Sequence, residues 1–263
     1  MTLPAKAIVA FLGGTILYII LAERPFSFLA SGRLIDQGTI TSSVVNILCD
    51  SEGQESTGGS GTIITTEGIV ITNSHVIPQD EVNILTSEQG CLVILPNGQS
   101  GQPEEMYWAK PLVIPELSDK YDLAYVQIYD AYLDEDGEKH GPFPRTFPSI
   151  FAEAEKYDEI CLGSEHVRLG DPIKIYGYPQ ASGGFSLTIT EGVISSLPGD
   201  GLILTSAKVD EGNSGGLAVD QRGCMVGIPS AVREGRYQNL GVIISTSTFL
   251  DFSNELSALQ EEP

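Results

Sequence analysis

At 263 residues, 41% hydrophobic and carrying 29 glycines and 15 prolines, the chain can form one large β-rich domain or two small ones sharing an interface. Short β-branched runs between turn residues argue against a helical bundle. A formal charge of −21, from 35 acidic and 14 basic side chains, argues against nucleic acid as a partner and otherwise reads as a hydrated surface.

The first feature in chain order is Ala7–Ala22, which has no charge and no polar face, with Lys6 before it and Glu23-Arg24-Pro25 after it. A run this uniform is a signal segment or a membrane anchor rather than a core helix. Cutting after Ala22 or Ala30 would put Ile20 or Phe28 at the third position back, where signal peptidase prefers a small residue. The expectation is an uncleaved hydrophobic helix within residues 1–34 that tethers the protein to membrane, with secretion as the alternative. Either way, the domain from about residue 35 onward is expected to be extracytoplasmic.

Short apolar or alternating runs follow. The strands expected are Val44–Cys49, Thr62–Thr65, Ile69–Thr72, Cys91–Leu95, Leu123–Tyr129, Ile173–Tyr176, Leu187–Ser195, Leu202–Thr205, Cys224–Ile228 and Gly241–Ser245. Glu67-Gly68, Asn97-Gly98, Pro198–Gly201 and Arg222-Gly223 punctuate them as turns. The pattern predicts an all-β sandwich or barrel. An acidic, proline-bearing stretch from Asp130 to Glu159 reads as a linker or insertion with a short helix at Ile150–Tyr157, and Thr248–Gln260 reads as an amphipathic helix. The expected organisation is therefore residues 35–130 as a first β unit, 131–160 as the linker, and 161–263 as a second β unit with a C-terminal helix. Cys49, Cys91, Cys161 and Cys224 show no C-x-x-C spacing, so no metal or cofactor is expected. They are free thiols or disulfides in any of three full pairings.

Three segments carry chemistry. Serine is a weak nucleophile unless a base takes its proton and donors stabilise the oxyanion that follows. Glu211-Gly-Asn-Ser-Gly-Gly216 supplies a serine among glycines whose backbone can aim amides at one spot. Of the three histidines, His75 alone follows an apolar strand pair directly; His140 and His166 lie in polar stretches. Asp122 opens an apolar strand, where an acid is costly without a partner.

In this order the segments resemble the chymotrypsin-type peptidases, and most closely the HtrA/Deg branch. Gly59-Ser-Gly-Thr-Ile-Ile, Thr72-Asn-Ser-His75-Val, Asp122-Leu-Ala and Gly212-Asn-Ser-Gly-Gly match its G-S-G-x-I-I, T-N-x-H-V, D-L-A-V and G-N-S-G-G motifs. Leu169–Pro179 and Thr190–Ser195 resemble two further segments, so the likeness runs from about Val44 to Ser245. It implies two six-stranded antiparallel β-barrels of the chymotrypsin type. It also implies a triad of Ser214 as nucleophile, His75 as base and Asp122 as orienting acid, with the amides of Gly212 and Ser214 forming the oxyanion hole. Val209 and Ile228 are expected to face an apolar P1 pocket, and Lys208 offers an acid-preferring alternative. The chain departs from the branch in its long Asp130–Glu159 stretch and in Leu217-Ala218, where a proline often stands. Asn213 replaces the aspartate of digestive relatives, and no PDZ domain is expected. The implied function is an endopeptidase acting on exposed or unfolded polypeptide. The alternative is an inactive or latent trypsin-like module acting in binding or as a chaperone.

Overall fold

The computed structural model describes residues 10–12, 15–17, 34–49, 57–78, 90–112, 115–161, 166–231 and 240–261. The chain divides into two compact units, Met1–Arg33 and Leu34–Pro263. In the first, β1 (Ala10–Leu12) and β2 (Thr15–Leu17) pair antiparallel, with Ala10 opposite Leu17. The hydrophobic helix expected across Ala7–Ala22 is not found among the described residues: Ala10–Leu12 and Thr15–Leu17 are extended, and the rest of the segment lies outside the described residues. Gly13-Gly14 stands between the two strands in sequence, a pair that favours a two-residue hairpin and weakens a helix. Among the described residues, no helix is long and apolar enough to cross a membrane.

The second unit opens on α1 (Gln37–Ser43). The Asp36 side chain caps it by accepting from Thr39 N at 3.0 Å and Thr39 Oγ1 at 2.6 Å, and these bonds hold its carboxyl below the usual range. Six strands follow: β3 (Val44–Cys49), β4 (Thr57–Ile63), β5 (Ile69–Thr72), β6 (Cys91–Pro96), β7 (Pro103–Leu112) and β8 (Ala124–Ala131). They close into a barrel in the order β3-β4-β5-β8-β7-β6. Val45, Ile47, Val70, Val93, Tyr107 and Val126 fill its interior, each fully buried. The residues after β8 pack back on this barrel. His140 O accepts from Met106 N of β7 and His140 N donates to Tyr132 O just after β8, and Phe147 enters the core at 2% exposure before α3 (Ile150–Ala154), which Ser149 caps.

The second barrel contains β9 (Pro172–Gly177), β10 (Thr188–Ser196), β11 (Leu202–Thr205), β12 (Leu217–Asp220), β13 (Met225–Pro229) and β14 (Gly241–Ser245). It closes in the order β10-β11-β14-β13-β12-β9. The two six-stranded antiparallel barrels expected from the resemblance are therefore present. Ile71, Leu123, Tyr176, Leu217, Ile228 and Ile244 form a core shared by both barrels, and Phe249 and Phe252 of α4 (Thr246–Glu261) close it from one side.

The cysteine question resolves to Cys49–Cys91 and Cys161–Cys224. The first joins directly opposed residues of β3 and β6, and the second ties the segment between the barrels to the start of β13. Closing loops with sequence separations of 42 and 63 restricts the unfolded chain by roughly 4 kcal/mol each on the chain-entropy account.

Candidate active site

His75 sits in a short 3-10 turn, Ser74–Val76, immediately after β5. Its Nδ1 lies 2.8 Å from Asp122 Oδ1. That bond places the imidazole proton on Nδ1 and leaves Nε2 as the acceptor. Asp122 has φ +57°, the one left-handed non-glycine among the described residues, a conformation that costs an L-residue about 1–2 kcal/mol. Its surroundings hold it there. Asp122 N donates to Ser118 O at 2.7 Å, closing α2 (Pro115–Tyr121), and Asn73 Nδ2 donates to Asp122 O at 2.8 Å. Ser74 Oγ donates to Oδ1 at 3.1 Å and Ser230 Oγ to Oδ2 at 2.9 Å, so both carboxylate oxygens are bonded. With side-chain exposures of 28% for His75 and 15% for Asp122, the imidazole is the more accessible partner of the pair.

Ser214 lies in the loop before β12, 3% exposed, on a backbone that only glycine neighbours permit. Gly212 has φ +92° and Gly215 φ +84°. A Cβ at Gly215 would lie 2.1 Å from Ser60 O and 2.2 Å from Thr72 Oγ1, so the loop presses directly against the first barrel. The amides of this loop divide into two sets. Asn213 N donates to Asp210 O, Gly215 N to Pro229 O and Gly216 N to Asn213 O, at 2.9, 3.1 and 3.0 Å. The N–H groups of Gly212 and Ser214 donate to no described group. The carbonyls behind them are anchored, Glu211 O by Gln180 N at 2.9 Å and Asn213 O by Gly216 N at 3.0 Å. Two anchored peptides thus present two unspent amides, the arrangement that receives an oxyanion.

His75 and Asp122 are brought into contact. Between His75 and Ser214 no hydrogen bond forms; instead Ser214 Oγ accepts from Ala231 N at 3.0 Å. The serine proton is thereby still available for donation. Of the expected pocket residues, Val209 is 1% exposed in the core of the second barrel, and a Cβ at Gly241 would lie 2.6 Å from its Cγ2. Ile228 is fully buried in the shared core. The Lys208 ammonium pairs with Asp210 on the surface, its side chain 69% exposed. Ser60, Asn73 and Ser74 lie inside the quoted motifs but carry no role read from the sequence, and Ser230 lies outside those motifs. Among the described residues, no three acids, histidines or cysteines gather as metal ligands.

Residues 59–228 match the family described as a trypsin-like peptidase domain. A "Probable periplasmic serine endoprotease DegP-like" of Pseudomonas putida is 27% identical over 219 residues, covering 79% of this chain and 36% of that protein. A protein of the same description from Brucella suis is 26% identical over 185 residues, covering 66% of this chain and 27% of its own length. The chain thus spans about a third of the length of these relatives. The crystal structure of the serine endoprotease from Yersinia pestis superimposes with a TM-score of 0.57 at 24% identity, covering 84% of this chain and 65% of that one, a likeness of fold.

Proposed function

Because this chain belongs to the trypsin-like peptidase family, we propose that it is a serine endopeptidase that cleaves exposed or unfolded polypeptide outside the cytoplasm. The observation that carries the reading is the pair of unspent amides at Gly212 and Ser214, beside a hydrogen-bonded His75 and Asp122. In this reading Ser214 Oγ turns from the Ala231 amide toward His75 Nε2, gives up its proton there and attacks the scissile carbonyl. The amides of Gly212 and Ser214 take the developing oxyanion. His75 returns the proton to the leaving amine, and Asp122 keeps the imidazole in the tautomer that can act. A water molecule then hydrolyses the acyl-enzyme by the same route.

Two disulfides support an oxidising compartment, as does the periplasmic name of the relatives. Lys208, paired with Asp210 at the surface, supports the apolar P1 site expected of Val209 and Ile228 over one that selects acidic residues. The bond from Ala231 N to Ser214 Oγ favours a second reading, a latent module that requires a partner to release the nucleophile. Hydrolysis of an unfolded polypeptide by the full chain tests the first reading. Turnover is expected from the wild type and a loss of at least about 10⁴-fold in Ser214→Ala. Equal turnover by both proteins would overturn it.

A further inference from the structure

Ser60 is fully buried, lies on β4 of the first barrel, and takes no part in proton transfer. Nevertheless, it makes four hydrogen bonds. Its Oγ donates to Gly212 O at 2.6 Å and accepts from Tyr178 N at 2.8 Å. Its N donates to Ser214 O at 2.9 Å, and its O accepts from Thr72 Oγ1 at 2.7 Å. One residue of the first barrel therefore holds the carbonyl of each residue that offers an oxyanion amide. The same hydroxyl fixes the Tyr178 backbone, two residues before Gln180, whose amide anchors Glu211 O at 2.9 Å.

The neighbouring residues leave room for this hydroxyl and little else. A Cβ at Gly177 would lie 2.9 Å from Ser60 Oγ and 2.6 Å from Asn213 Oδ1. Without the hydroxyl, Gly212 O would lack this donor, and the peptide joining Gly212 to Asn213 would retain only the bond from Asn213 N to Asp210 O. Rotation of that peptide turns the neighbouring amides, and the hole depends on their direction.

We propose that Ser60 is the positioning residue of the oxyanion hole: its side chain couples the first barrel to the Gly212 peptide and holds the hole in its receptive form. The proposal rests on the peptidase reading. Loss of a positioning contact acts on the transition state and spares the ground state, which gives a signature that a packing defect does not share.

The test uses the full chain as wild type, Ser60→Ala and Ser60→Cys, the cysteine keeping a weaker donor of similar shape. It measures kcat, KM and the affinity of a peptide boronate whose tetrahedral adduct places an oxygen in the hole. In Ser60→Ala, kcat is expected to fall about 10- to 100-fold, below the 10²- to 10³-fold typical of deleting an oxyanion donor outright. Boronate affinity should fall by the same factor, with KM within about twofold of wild type, and Ser60→Cys should lie between. Should the alanine variant fail to fold, the cysteine variant carries the same comparison. Wild-type kcat and boronate affinity in the substituted protein would overturn the proposal, as would a kcat loss matched by an equal rise in KM. A wild type that binds boronate without turnover would overturn the peptidase reading, while the affinity ratio would still decide the role of Ser60. A wild type that does neither would overturn both.

Discussion

In the first barrel, side chains hold the proposed acid–base pair: Asn73, Ser74 and His75 converge on Asp122, and Ser230 reaches it from the other barrel. In the second barrel the backbone does the corresponding work. Ser214 and the amides of Gly212 and Ser214 are placed by carbonyl and amide partners and by one side chain, the Ser60 hydroxyl, with glycine at Gly212, Gly215 and Gly216 because neighbouring backbone leaves no room for a Cβ. The His75–Asp122 half is therefore tuned by polar side chains that can be exchanged singly, whereas the Ser214 half depends, Ser60 apart, on absent side chains. A substitution should damage the first half chemically and the second sterically.

Two variants break that comparison at its largest effect. Asp122→Asn keeps the size of the side chain but exchanges one acceptor oxygen for an N–H donor, which favours the wrong imidazole tautomer. It should lower kcat by about 10⁴-fold with little change in melting temperature. Gly215→Ala adds a methyl 2.1 Å from Ser60 O at φ +84° and should lower both activity and stability, the latter by about 2–4 kcal/mol from overpacking and left-handed strain. Kinetics and thermal melting measured side by side check the pair. An Asp122→Asn protein that melts as low as Gly215→Ala would contradict the division.

The smallest expected effect belongs to the first barrel alone. Burial lifts the Tyr107 phenol to about 12, with smaller opposing contributions from Arg145, which lowers it, and Glu105, which raises it. Because the folded value is raised, this contribution to stability is complete below the ordinary tyrosine range near 10 and is lost as pH rises through about 12. Wild type should therefore lose stability relative to Tyr107→Phe over that window. Melting curves that stay parallel from about pH 8 to about pH 12 would contradict it.

The same division explains what could be read from the sequence. Val44–Cys49, Ile69–Thr72, Leu202–Thr205 and Gly241–Ser245 form strands with the bounds expected, because each is a compact apolar run. The strand at Pro103–Leu112 escaped notice: it begins with proline and glutamates, carries Lys110 and Pro111, and buries only Tyr107 and Ala109 completely. Leu217–Asp220 is too short to show a period, and Thr57–Ile63 begins as Thr-Gly-Gly-Ser-Gly, a loop-like sequence whose glycines admit neighbouring side chains and the Ser214 backbone. His75 and Asp122 were legible because their chemistry is carried by side chains in short motifs. The φ of Asp122, the Ser230 contact and the reach of Ser60 were not, since each depends on segments far apart in sequence brought together by the barrels.

The central claim is that Ser214 is a nucleophile activated by His75, and covalent labelling of the full chain with a fluorophosphonate tests it most directly. Peptide mapping is expected to place the adduct on Ser214. Labelling should be fast in the wild type, slowed by at least about 10³-fold in His75→Ala, and absent from Ser214→Ala. An adduct on any other residue, or a His75→Ala protein that is labelled as fast as the wild type, would contradict the account.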